Sequence, residues 1–353
     1  MKILMLVNWE IEYCNEKPAD KQPPDYKVKG EDYWFYRYFK DKPEVEVLDI
    51  RSFPWLEKFE RNRLHFYIWQ AIRAIPKLNK YDLVVSHGMP SAVVICLWRR
   101  FIKTKSKHVV FDIGSFASGS ERGFALKLMQ FASKSIDGII YHTSWQKEYY
   151  DKYFAWLSEK AYFVPFGVDF DFFDVDTTTD CKDDYILCVG KNRSDWNTVA
   201  KAFSSIETSY KLRFVGGNDS KLENLKNVEQ LPYIPINELI IQIKNALFCV
   251  LPLENVRFSF GQMRFLQQQA LGKCVLTSRI RSLVDYGKDN INAIFFEPGN
   301  TDDCRLKMEY LLSNPSIIDT IGKNARDNAH NCFNEKTMAL QIERVLGEVT
   351  NDE

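Results

Sequence analysis

Two series of short apolar runs, separated by amphipathic stretches, predict an α/β protein of two Rossmann-like halves facing each other across a cleft. Three observations carry this reading: the β/α alternation itself, an acidic break near mid-chain, and a fresh apolar start after the break. The length agrees, because 353 residues correspond to roughly two domains of about 150 residues each.

The first series places strands at Ile3–Val7, Val45–Leu48, Leu83–Ser86, Val109–Asp112, Gly138–Tyr141 and Tyr162–Val164. Continuous apolar runs of this kind suit strands buried on both faces, and stripes such as Phe124, Leu126, Leu128, Phe131 and Ala132 suit the covering helices. The break follows. Residues 169–184 hold seven aspartates and three consecutive threonines, which predicts an exposed connector between domains. Alternation resumes at Tyr185–Val189, Leu212–Val215, Phe248–Leu251, Val275–Thr277 and Ala293–Phe296. The expected organisation is a first domain over 1–168, the linker over 169–184, a second domain over 185–334, and a final segment over 335–353. In that segment Met338, Ile342 and Leu346 form an apolar stripe, so it is expected to be a helix.

Charge narrows the function. Lys+Arg and Asp+Glu are both 47, giving a net charge of zero. Residues 51–107, however, carry 12 Lys/Arg against Glu57, Glu60 and Asp82. A generally basic nucleic-acid binder is excluded, while one basic face remains. No two of the eight cysteines stand in a C-x-x-C spacing and most sit in apolar runs, as buried free thiols of a reducing compartment do. Met1–Val7 is too short an apolar start for a signal peptide, and no run of about 18 apolar residues is present, so a cytoplasmic protein is expected.

Four passages then carry a resemblance. Phe163-Val164-Pro165-Phe166-Gly167-Val168-Asp169 with Phe172-Phe173 closes the first half. Cys188-Val189-Gly190 with Arg193, Asp195 and Trp196 opens the second. Phe260-Gly261 is followed by Ala270-Leu271-Gly272-Lys273, and Asp285-Tyr286-Gly287 by Asn290 to Asn300. In this order they resemble the large GT-B group of retaining glycosyltransferases (glycosyl transferases group 1), which use nucleotide-sugar donors. The resemblance implies GT-B architecture and a sugar transferred from a nucleotide diphosphate to a glycan or lipid-linked acceptor, with retention and without a metal or other cofactor. It also implies that the final helix crosses back to the first domain.

The residues themselves support a donor site. Gly190, between a strand and a helical stretch, lets the backbone approach a diphosphate at a helix start. Lys191 and Arg193 add positive charge there, although solvated basic residues at a βα turn read the same way. In Ser259-Phe260-Gly261-Gln262 a helix begins, and S-x-x-Q fits a capping box; the same helix end can face donor phosphate or sugar. Tyr233, before the helix at Glu238, is expected near the base.

Departures from the family pattern matter as much. Many members carry two glutamates eight residues apart. Here Gln267 takes the second place, where its carbonyl can accept a ribose hydroxyl, and Ser259 or Phe258 takes the first. The family's frequent histidine after the fourth strand is Gly114. Asp112, two residues earlier, either binds an acceptor hydroxyl or caps the following loop. His87 and His142 end strands and either face the cleft or make local hydrogen bonds. Catalysis is thus expected at Asp112, His142 and Ser259, and acceptor binding at Trp9, His87 and Asp112. With no clear base, the departing diphosphate is expected to help deprotonate the acceptor on the same face.

Asp169-Phe170-Asp171 reads as solvated linker rather than a metal site. Trp98 to Lys105 mixes aromatic and basic residues, either resting on the inner face of an anionic membrane or ending a core helix. Loss of the glutamates also motivates a second reading, a catalytically degenerate protein that binds a sugar nucleotide or a partner.

Overall fold

The computed structural model describes residues 1–114, 116, 121–173, 184–190, 192–256 and 258–351. Each half is a six-stranded parallel sheet. The first runs β4-β1-β5-β6-β7-β8, from β1 (Lys2–Leu6), β4 (Glu44–Leu48), β5 (Leu83–His87), β6 (Lys107–Asp112), β7 (Gly138–Tyr141) and β8 (Ala161–Phe163). The second runs β11-β10-β9-β12-β13-β14, from β9 (Tyr185–Val189), β10 (Lys211–Val215), β11 (Val228–Leu231), β12 (Cys249–Leu251), β13 (Val275–Ser278) and β14 (Ile294–Phe296). Two short strands, β2 (Glu12–Cys14) and β3 (Tyr26–Val28), pair separately after β1.

Burial on both faces explains the continuous apolar runs. Ile3, Met5 and Val7 enter one core while Leu4 and Leu6 enter another on the opposite face. Strands β2, β3 and β11 escape the sequence reading because they are short and not apolar enough; no residue of β11 is fully buried.

The terminal helix Glu335–Asn351 lies on the first sheet, not the second. Its Met338, Ala339, Ile342, Val345, Leu346 and Val349 share one core with Met5, Val109, Phe111 and Ile140. Before this helix starts, the chain crosses the segment that leaves the first domain. The Val168 N–H donates to the Phe333 carbonyl at 2.8 Å, and the Glu335 N–H to the Val168 carbonyl at 2.9 Å. Gly167 sits where a Cβ would come within 2.5 Å of the Asn334 carbonyl oxygen, so only glycine admits the crossing.

Polar side chains fasten this crossing. Arg37 bridges Asp169 at 2.6 Å and Glu335 at 3.0 Å, the Trp34 indole donates to Glu335 at 3.2 Å, and the Tyr38 hydroxyl donates to Asp171 at 2.7 Å. Asp169 is buried in this network, which differs from the expectation of a solvated linker, whereas Asp171 stays exposed to solvent while it accepts from Tyr38. Residues 174–183, the rest of the expected linker, lie outside the described residues. No helix among the described residues is long and apolar enough to cross a membrane.

Candidate active site

The carboxyl ends of both sheets face a cavity of about 440 Å³. From the first domain Ile113, His142 and Phe166 line it; the second supplies Gly190, Asn192, Ser194, Gly216, Tyr233 and the stretch Ser259–Arg264. Val189, Val215, Leu239, Leu251 and Leu253 contribute apolar wall. A second cavity of about 520 Å³ adjoins it through Tyr233, Ile234, Leu239 and Arg264, and is closed on the first-domain side by Glu10 to Glu12, Asp20 to Gln22, Asp25 and Arg51.

Two helices could offer a free N-terminus here, and their caps decide between them. After β9, Trp196–Ser204 is capped by Asp195, whose carboxylate accepts from the Thr198 N–H at 3.1 Å. A carboxylate already occupies that end and satisfies it, contrary to the expectation that this helix start would receive phosphate. The helix Gln262–Ala270 is different. Its N-cap is Gly261, with φ of 91° and no capping side chain, and the Phe265 N–H makes the first intrahelical bond, to the Gly261 carbonyl at 2.9 Å. The N–H groups of Gln262, Met263 and Arg264 therefore stand outside the ladder, at the cavity. The capping box is not formed: the Gln262 amide donates to the Ser259 hydroxyl at 2.7 Å and the Ser282 carbonyl at 3.1 Å.

Gly190 has φ of 91° and nothing within 4 Å of where a Cβ would stand, which leaves backbone approach open to a ligand. Lys191 lies outside the described residues. Arg193, expected on phosphate, is exposed at the rim, 3.4 Å from Glu254, and does not line the cavity. Tyr233 lines both cavities and is largely exposed. Ser259, Phe260, Gly261 and Gln262 are all in the wall. Gln267 is not. It is buried, with its amide donating to the Gln22 side chain across the domain boundary at 2.7 Å, while its carbonyl oxygen, the atom expected on ribose, is buried without a hydrogen-bond partner among the described residues.

On the first-domain side the two alternatives for Asp112 resolve toward the loop cap. Its fully buried carboxylate accepts from the Tyr150 hydroxyl at 2.6 Å, the Gly114 N–H at 2.8 Å, the Gln146 amide at 3.1 Å and the Phe116 N–H at 3.4 Å. Burial pushes its pKa up while these bonds pull it down. With its lone pairs taken, it has none left for an acceptor or for catalysis. His87 and Trp9 also sit behind the wall: their rings pack edge-to-face at 4.7 Å, and His87 Nδ1 meets the Asn8 side-chain oxygen at 3.3 Å. Burial, with a smaller contribution from His142, takes the His87 pKa down to about 3, leaving a neutral ring unfit for proton transfer near neutrality.

His142 is the exception, since it does line the cavity. Its Nδ1 lies 2.7 Å from the Val164 carbonyl, which can only accept, so Nδ1 carries the proton and Nε2 keeps its lone pair. Burial lowers its pKa, favouring that neutral form. The second domain holds the backbone of this loop: the Tyr286 hydroxyl donates to the His142 carbonyl, and Asp285 accepts from the Ser144 N–H and hydroxyl, each at 2.7 Å.

Gly114, with φ of 113°, explains the missing family histidine. A Cβ there would lie 2.4 Å from the Phe258 Cβ, so Phe258 fills the space a side chain would need.

One residue escaped the sequence reading. Arg264 borders both cavities, yet its Nη1 is sealed from solvent with no hydrogen-bond partner, and burial takes its pKa down to about 10. An arginine on a cavity-lining helix face was the available signal; its apolar neighbours concealed it.

Two parallel-sheet domains facing a shared cleft, with the last helix returned to the first domain, define the GT-B fold of glycosyltransferases. Within it, residues 169–328 match the family of glycosyl transferases group 1. Sucrose-phosphate synthase from Thermosynechococcus elongatus has the same fold at a TM-score of 0.68 and 15% identity, covering 99% of each chain. HepE from Anabaena, solved with UDP, gives 0.70 at 13% identity over 99% of this chain and 100% of its own. The pneumococcal O-GlcNAc transferase GtfA, solved with UDP and GlcNAc, gives 0.61 at 13% over 80% of this chain and 60% of its own. No curated protein matches the chain.

Proposed function

We propose that the protein transfers a sugar from a nucleotide-diphosphate donor to a glycan or lipid-linked acceptor, with retention of configuration and without a metal. The single observation carrying this reading is the uncapped N-terminus of the helix Gln262–Ala270 at an interdomain cavity of about 440 Å³. Backbone N–H groups there suit a diphosphate, and the open approach at Gly190 gives it room. Structures of HepE and GtfA hold UDP, which supports a nucleotide in this cleft. Among the described residues lining the cavity none is Asp or Glu. That favours a same-face reaction in which the departing diphosphate takes the acceptor proton, while His142 Nε2 accepts a hydrogen bond from a sugar hydroxyl. The degenerate alternative draws on the same lack of carboxylates.

Thermal stability against UDP, GDP, ADP, TDP and CMP, with and without magnesium or chelator, tests the reading. A saturable rise with one diphosphate, unchanged by chelator, supports a metal-free donor site. No rise with any of them favours the partner-binding alternative, and a rise that requires magnesium sinks the metal-free claim. Product anomers resolved by NMR test retention.

A lipid-linked acceptor is supported by a surface where Trp98, Phe101, Ile102 and Phe131 are exposed, with the Phe101 and Phe131 rings 6.0 Å apart and Arg100 4.9 Å above Phe131. Such a surface suits the inner face of an anionic membrane. Sedimentation with phosphatidylglycerol vesicles but not phosphatidylcholine vesicles is expected; equal or no binding removes the membrane contact.

A further inference from the structure

A cation removed from water without a counter-charge raises the free energy of the fold, so its retention calls for an occupant that restores the balance. Arg264 carries such a group in part: the residue is half-buried, but its Nη1 is sealed from solvent without a partner. No ion pair or hydrogen bond holds its guanidinium among the described residues, and other described basic residues around the two cavities are already engaged: Arg193 faces Glu254, Arg51 holds Asp49 and the Ile11 carbonyl at 2.6 Å each, and Lys21 bonds Glu12. Arg264 is also the third residue of the helix whose cap is bare. Helical side chains lean toward the N-terminus, which directs this one along the same end that presents free N–H groups. Resting on the donor-site reading above, we propose that Arg264, not Arg193, is the side-chain cation that grips the diphosphate of the bound nucleotide sugar.

The guanidinium presents paired N–H donors that match phosphate oxygens, and the helix terminus adds its own donors to the same anion. The acidic residues of the adjoining cavity, Glu10, Asp20 and Asp25, stand on the first-domain side of Arg264. They set a limit on where an anion is stable, so the diphosphate belongs on the Gly190–Gly261 side.

The assignment predicts opposite signs for stability and binding, which a structural arginine would not give. In the ligand-free protein Arg264→Met removes an uncompensated charge and should raise Tm. The same variant should lose most of the Tm rise produced by pyrophosphate, a probe without a base, and bind UDP at least tenfold more weakly while uridine binding changes less than threefold. Arg264→Lys should recover part of the pyrophosphate response, and Arg193→Ala should stay within threefold of wild type for UDP. Equal weakening of uridine and UDP, or a larger loss in Arg193→Ala than in Arg264→Met, overturns the assignment. A ligand-free Arg264→Met that is less stable yet binds UDP normally makes the residue structural and also overturns it. Should the wild type answer neither to pyrophosphate nor to any nucleotide of the panel, the donor site itself falls and this assignment with it; a wild-type response that Arg264→Met retains in full sinks Arg264 alone.

Discussion

At the scale of single residues, Asp112 shows how a strand-end carboxylate can be structural while looking catalytic. Four donors converge on it from Gly114, Phe116, Gln146 and Tyr150, so it organises the loop that carries Gly114 toward Phe258. Asp112→Asn replaces one acceptor oxygen by a donor that meets other donors. The expected cost is about 1–3 kcal/mol of folding stability, read by urea denaturation, with transfer activity per folded molecule changed little. A collapse of activity at unchanged stability would return Asp112 to the catalytic set. Sequence spacing could place Asp112 at the end of β6, but not reveal that Gln146 and Tyr150, 34 and 38 residues on, would arrive to saturate it. Arg264 failed in the opposite sense: it stands in sequence between the apolar Met263 and Phe265, and only the tertiary placement leaves its Nη1 without a partner among the described residues.

At the scale of elements, legibility followed burial. Strands packed on both faces announce themselves as apolar runs, which is why β7 and β9 fall on the residues expected of them. Edge strand β11 is only half-buried throughout and carries Glu229 and Gln230 in succession, so it leaves little signal. Helix caps were harder still. S-x-x-Q predicted a capping box at Ser259, whereas the chain turns at Gly261 and Gln262 bonds the Ser259 hydroxyl instead of its N–H. That error matters, because a box would have consumed the donors the cavity receives. The terminal helix was legible as an amphipathic stripe, although its destination came from resemblance. Leu346 is fully buried within the first-domain core. Leu346→Ala should therefore cost about 2–5 kcal/mol and should expose first-domain amides to hydrogen exchange ahead of second-domain ones. Uniform loss of protection across both domains would contradict the assignment of this helix to the first core.

At the scale of the whole molecule, the crossing point joins domain arrangement to proton binding. Burial raises the Glu335 pKa from 4.5 to about 8, against the pull of Arg37. Between those values the folded chain holds a proton that the unfolded chain has released, so stability falls as pH rises through the window, by at most about 1.4 kcal/mol per pH unit. His87, His108 and His142 act in the reverse direction. Burial lowers each from 6.5, so their contribution is present above 6.5 and is lost as pH falls. From about 6.5 to 8 Glu335 acts without them. Wild type should lose stability over that interval in urea titrations, and Glu335→Gln, which keeps a neutral side chain beside Trp34, should flatten the slope. An unchanged slope in the variant would place the titration elsewhere.

The returned helix also has a consequence in time. Residues 1–164 emerge from the ribosome with one face of their sheet covered only in part, by Tyr33 to Phe39, and the residues that complete the cover, Met338 to Val349, follow only after the second domain. At about 5–20 residues per second, that gap lasts on the order of ten seconds or more. During vectorial synthesis the second domain, whose two cores draw on residues from Phe166 onward, can finish first. The nascent first domain meanwhile presents a partly open apolar sheet, the kind of surface a holdase chaperone protects.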